Sequence, residues 1–426
     1  MRRLGVGPGR WWQGGILRVL GGRVAQRIVV ACVALACALA GCASVPDRAA
    51  VPALLSADAT VPGLADVRVW GDAHFSHALL AAELPRLKAK YQVREAAQAK
   101  SASKPTPSNL LAISGGADDG AFGAGLLVGW SEQGSRPEFD LVTGISAGAL
   151  IAPFAFLGRA HDRDLAGLFT SYGADQIYQA NILSGLFGGN ALADSAPLAR
   201  LIERYVDVRF LREIAAERAN GRFLLVGTTN LDAQRPVYWD MGKIAQKGDA
   251  RALDLFRRVL LASASVPGVF PPVLVEVEAG GHLYQEMHVD GGTTREVFFT
   301  IADFRFNELD KAIGRKIERR LWIIRNGKID PECKATPEAT LAIAQRSLET
   351  LTKSRGIGDL AHMYARAKAD HIDYNLAAIP ADFAAPHAKP FDQAYMQALY
   401  ERGVAMGRAG YPWAKAPPEA IVEARR

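Results

Sequence analysis

Cysteine is scarce in this chain, with four in 426 residues. Cys32 and Cys37 fall in an apolar N-terminal run and Cys42 directly follows it, which leaves Cys333 alone in the rest. A lone cysteine cannot close an internal disulfide, so stability has to come from a packed core. Metal-ligand spacing is lacking as well. His74 and His77 stand close together without a partner set of acids or cysteines, so no metal is expected. Residues 116–125 are glycine-rich but lack the Gly-Lys-Ser/Thr ending of a P-loop and the spacing of a dinucleotide fingerprint. No nucleotide cofactor is expected either. Acidic residues are missing before Asp47, where six arginines stand without a lysine. Those arginines account for the whole formal charge of +6, so the remainder of the chain is neutral. A neutral body gives no global electrostatic case for nucleic acid or for an anionic membrane surface.

Long apolar runs are missing too. The uncharged stretch 28–40 is shorter than the ~20 residues a spanning helix requires, and matches the core of a signal peptide. It ends in Leu39-Ala40-Gly41-Cys42, which resembles the lipobox of bacterial lipoproteins. That resemblance implies cleavage before Cys42 and lipidation of its thiol. Several acyl chains anchor firmly where one is marginal. Ala43 in place of aspartate then suggests the outer membrane, facing the periplasm or the cell surface. The plain alternative is an ordinary secretory peptide with a chance cysteine.

The rest of the chain divides by composition. After the leader 1–41, residues 42–108 read as a tether and a helical segment, with Leu79, Leu80, Leu84 and Leu87 in one stripe. A Ser/Pro linker closes that segment at 101–108. Residues 109–330 alternate short apolar runs with helical patterns, and 331–426 look mainly helical, through 341–352 and 359–369. The runs 110–114, 139–144, 223–228 and 321–325 alternate little in polarity, as strands buried on both faces do. This pattern predicts an α/β fold of three layers, α/β/α, around a mainly parallel central sheet, with helical N- and C-terminal additions. In such a sheet the site lies at the carboxyl ends of the strands.

Three segments with chemical content fall at those ends. Gly144-Ile145-Ser146-Ala147-Gly148 joins a strand to a helix-like stretch and sets a hydroxyl at the apex of a tight turn. Ser114-Gly115-Gly116-Ala117-Asp118-Asp119-Gly120 also follows a strand. Its small residues allow several N–H groups to face one concavity, suited to a phosphate or an oxyanion. Farther on, His288-Val289-Asp290-Gly291-Gly292 sets a carboxylate at a strand end before two glycines.

In that order the three segments resemble the patatin-like phospholipase family, over about residues 109–294. The stretch Ala262-Ser263-Ala264-Ser265-Val266-Pro267-Gly268-Val269-Phe270-Pro271-Pro272 adds to the likeness. The resemblance implies a patatin-like fold and a lipid acyl hydrolase that cleaves carboxylic esters. Ser146 would be the nucleophile and Asp290 its partner in a Ser-Asp dyad, with Gly115, Gly116 and Ala117 as oxyanion donors. The substrate would be a lipid or small ester, and no cofactor is implied. The family loop carries a cation where Asp119 stands and a glycine where Ala117 stands. Two carboxylates there would repel a phosphate, or else face water or cap the next helix.

Other readings of the same residues are open. A triad esterase would add a histidine, for which His288, His362, His371 and His387 are available. A non-catalytic envelope lipoprotein that retains the fold is a third reading. Residues 182–190 suit a mobile lid or a buried connection, and residues 229–232 border the site or form a turn with an Asx cap.

Overall fold

A nine-stranded mixed sheet organises the chain. The computed structural model describes residues 48–101, 107–180 and 191–417, and its residues from Ala49 onward form one compact unit. Both Cys42 with its lipobox and the lid candidate 182–190 lie outside the described residues. Among the described residues no helix is long and apolar enough to cross a membrane.

Strands of the sheet are β1 (Arg68–Trp70), β2 (Ser108–Ile113), β3 (Leu141–Gly144), β4 (Phe223–Asn230), β5 (Arg235–Asp240), β6 (Val273–Ala279), β7 (His282–Asp290), β8 (Arg319–Lys328) and β9 (Asp373–Ile379). Five of them run parallel in the order β4-β3-β2-β8-β9. Beyond β4, β5 and β1 continue antiparallel, and the hairpin β6–β7 is attached through β7. Every residue of β2 is buried, and its alternate side chains enter opposite cores. Leu111 and Ile113 join one core, whereas Leu110 and Ala112 join the other.

Helices cover both faces, completing the three layers. One layer holds α1 (His77–Ser101), α7 (Phe306–Ile313) and α8 (Thr340–Ala369). The other holds α2 (Gly120–Gln133), α3 (Ala147–Leu157), α4 (Val208–Ala219), α5 (Met241–Lys247), α6 (Ala250–Ser263) and α9 (Gln393–Ala409). Ion pairs hold α1 in place: Lys90 and Arg94 reach Asp140 directly before β3, and Glu83 reaches the fully buried Arg218 of α4. Burial alone would raise the Asp140 carboxyl, but Lys90 and Arg94 outweigh it and hold it at about 2.

Both additions to the central domain contribute strands as well as helices. β1 forms one edge of the sheet and β9 the other. The two helical patterns expected after residue 340 are one helix, α8, which runs through Gly356. That glycine is not a break: a Cβ there would stand 2.1 Å from Arg325 Nη1, so the gap accommodates a guanidinium. The C-terminal α9 packs on α2 backbone to backbone. A Cβ at Gly125 or Gly129 would stand 2.1 Å from a carbonyl of α9, and one at Gly403 or Gly407 2.5 Å from a carbonyl of α2. Since α2 begins at the 114–120 loop, this contact ties the C-terminal region to the predicted site.

Candidate active site

Ser146 stands between β3 and α3 with φ 54° and ψ −125°. A non-glycine residue so placed costs about 1–3 kcal/mol and persists only where its surroundings dictate it. Here the backbone dictates it: a Cβ at Gly148 would stand 2.4 Å from Ile113 O and 2.6 Å from Ser114 O. The Ser146 N–H donates to Ser263 Oγ at 3.0 Å, and that hydroxyl donates to Gly227 O at 2.7 Å. Ser146 retains 7% exposure at the N-terminus of α3, where negative charge is favoured.

Asp290 arrives by strand pairing. β3 occupies one edge of β4 up to Gly144, opposite Val226, and β7 then continues along β4 with Asp290 opposite Thr228. The carboxylate is therefore delivered just past the end of β3, where the serine turn begins. Its Oδ1 accepts the Gly292 N–H at 2.7 Å. Oδ2 is buried and has no hydrogen-bond partner among the described residues. Burial pushes the Asp290 carboxyl up to about 6, with the Ser146 hydroxyl and the Gly292 N–H pulling the other way.

The 115–119 loop curls over the end of β2. Gly116 has φ 151°, and a Cβ there would stand 2.1 Å from Asn326 O. Asn326 holds the loop with three bonds: its N–H donates to Ser114 Oγ, its amide donates to Ser114 O, and its Oδ1 accepts the Gly123 N–H. Of the three N–H groups expected as oxyanion donors, Gly115 already donates to Glu296 O at 3.2 Å. Gly116 and Ala117 N–H meet no acceptor among the described residues.

The loop's two aspartates neither confront the site with bare charge nor face water. Asp118 Oδ2 meets His387 Nε2 at 2.7 Å and accepts the Phe391 N–H at 2.8 Å. Asp119 Oδ1 accepts the Tyr395 hydroxyl at 2.5 Å, and the His387 ring stacks on that of Tyr395. Burial pushes the Asp119 carboxyl up to about 7 against the Tyr395 hydrogen bond. The charge that would repel a phosphate is thus spent on holding the C-terminal segment.

The triad histidines fare differently. His288 is fully buried, with Nδ1 at 3.0 Å from Thr228 Oγ1 and Nε2 at 3.0 Å from Glu286 Oε2. Both ring nitrogens are engaged away from the serine, and burial lowers the imidazole's pKa. His387 belongs to Asp118, His371 follows the end of α8, and His362 lies within α8 near Arg295 and Arg366. In the 229–232 segment Asn230 Oδ1 accepts the Ala233 N–H, an Asx-type turn, while Thr229 bonds Thr294 beyond the Asp290 turn. Among the described residues no group of three or more His, Cys, Asp or Glu converges to hold a metal ion.

Sequence reasoning missed four residues of the site. Asn326 and Tyr395 brace the 115–119 loop, and Glu296 and Arg325 are buried charged groups beside it. None lies in a glycine frame or any other local pattern.

A family model described as Patatin-like phospholipase matches residues 111–303, the span that holds Ser146, Asp290 and the loop. No curated protein matches the chain. Among solved structures, the crystal structure of VipD from Legionella pneumophila is similar at 11% identity and a TM-score of 0.35. That match covers 72% of this chain and 68% of that one.

Proposed function

We propose, from the match of residues 111–303 to the patatin-like phospholipase model, that the chain is a lipid acyl hydrolase working through a Ser146–Asp290 dyad. The observation that carries this reading is the buried, unbonded Oδ2 of Asp290 beside a strained serine at a strand-to-helix elbow. A serine hydroxyl needs a base to become nucleophilic, and a carboxylate near 6 is a better base at neutral pH than an ordinary one. Asp290 takes the proton as Ser146 Oγ bonds to the ester carbonyl carbon. The resulting oxyanion is met by the Gly116 and Ala117 N–H groups, and loss of one such donor typically costs roughly 3–4 kcal/mol. Collapse of this intermediate breaks the carbon–oxygen bond to the alcohol, which leaves with the proton from Asp290. Water then attacks the acyl-enzyme along the reverse proton path.

The engaged ring nitrogens of His288 favour this dyad over a triad. We further propose that Cys42 carries a lipid anchor in the cell envelope, so that the enzyme meets its ester at a membrane. Hydrolysis of p-nitrophenyl esters of increasing chain length, with Ser146→Ala alongside, tests the activity. Turnover confined to the native protein supports it. Folded native protein with no turnover above Ser146→Ala on any ester contradicts it.

A further inference from the structure

Glu296 lies just past the turn Gly291–Thr293 that follows Asp290. Its main chain is held from both sides: the N–H donates to Asp359 Oδ2 of α8 at 2.8 Å, and the carbonyl accepts the Gly115 N–H. It therefore bridges α8 and the 115–119 loop. Its side chain turns into the site. A Cβ on Gly115 would stand 3.1 Å from Glu296 Oε2 and 3.2 Å from Ser146 Cβ. One on Gly292 would stand 2.5 Å from Glu296 Oε1 and 3.0 Å from Asp290 Oδ1. The carboxyl thus occupies the wedge between nucleophile, oxyanion loop and Asp290 turn, and these two glycines make room for it.

Glu296 is only 6% exposed. The charged groups around it are Asp290 at the end of β7, Arg325 on β8, and Asp359 and Arg355 on α8. Arg325 is itself buried, its Nε has no hydrogen-bond partner among the described residues, and it makes no ion pair within 4.0 Å there. Burial first, and Asp290 second, push the Glu296 carboxyl up to about 8, with Arg325 pulling it down. Two carboxyls this close in a buried site resist carrying two charges. A second negative charge would also oppose the oxyanion that forms on Ser146 attack.

Resting on the dyad reading above, we propose that Glu296 is a positioning residue for this reaction. It seats Gly115 through its carbonyl, and its carboxyl is compatible with turnover only while uncharged, leaving the site's single negative charge to Asp290. The neutral form fills the wedge; the ionised form stops the reaction.

The test is the pH dependence of kcat/KM on a neutral ester for native protein, Glu296→Gln and Ser146→Ala, with melting temperatures across the same range. Native kcat/KM is expected to fall about tenfold between pH 7 and pH 9, whereas Glu296→Gln holds its pH 7 value. An acid kept protonated by the fold loses stability as pH rises from its unfolded to its folded pKa. The melting temperature of Glu296→Gln should therefore gain on the native one between pH 5 and pH 8. Glu296→Met, uncharged and of similar size, stands in with the same outcomes if the glutamine variant does not fold. An unchanged alkaline fall in the variant, or a constant melting gap, overturns the inference. If Ser146→Ala is still inactive in that case, the hydrolase reading survives. A native protein without turnover takes both away.

Discussion

The serine elbow and the 115–119 loop meet at one point but are held in different ways. The elbow is fixed by backbone against backbone: Gly148 lies so close to the end of β2 that no side chain fits between them. The loop shares that device only at Gly116, where a Cβ would stand 2.1 Å from Asn326 O. Otherwise it is held by side chains from far away, with Asn326 on β8 below it and His387 and Tyr395 clasping its aspartates. Glu296 completes the clamp from the Asp290 turn. A geometry imposed by backbone leaves a local signature, because only glycine fits. A geometry imposed by remote side chains leaves none in the segment it holds.

That contrast can be broken from either side. The largest effect belongs to the elbow: Gly148→Ala drives a methyl into two carbonyls, and overpacking typically costs about 1–3 kcal/mol and occasionally more. Turnover should vanish with a marked fall in melting temperature, both read on one preparation. Next comes the loop's main brace. Asn326→Ala removes the two side-chain hydrogen bonds and lets the Gly116 and Ala117 N–H groups drift, for which about a 10²-fold loss in kcat is expected. Here KM should change little, and steady-state kinetics separate the two. The smallest effect is at the far clasp. Tyr395→Phe removes one hydrogen bond to Asp119, worth about 1 kcal/mol by denaturant melting, and should cut turnover only a few-fold. If Asn326→Ala were harmless and Tyr395→Phe severe, the loop would be held by its aspartates instead of its base.

The same contrast explains what could be read from sequence. The four buried runs 110–114, 139–144, 223–228 and 321–325 coincide with β2, β3, β4 and β8, because a strand covered on both faces needs an unbroken apolar run. Between the last two of these runs, residues 251–264 also read as a helix, and α6 matches that span within a residue at each end. Ser146 and Asp290 stand out in the sequence because each sits beside glycines the turn requires. Glu296 was not, since Arg295-Glu296-Val297-Phe298-Phe299 reads as a charged pair before an apolar stretch. The clasp was hidden by distance: His387 and Tyr395 lie 269 and 276 positions from their aspartates. The patterns 341–352 and 359–369 are one helix, whose Gly356 makes space for Arg325.

The central claim is that Asp290 activates Ser146 without a histidine, and a fluorophosphonate probe tests it most directly because it reads the nucleophile alone. Intact-mass spectrometry should show one adduct per native chain, mapped to Ser146 by peptide analysis and absent from Ser146→Ala. The labelling rate should rise with pH through about 6, where Asp290 becomes a base. In Asp290→Asn it should be slow and flat across the same range. Labelling of Asp290→Asn at the native rate, or an adduct on another residue, would contradict the account.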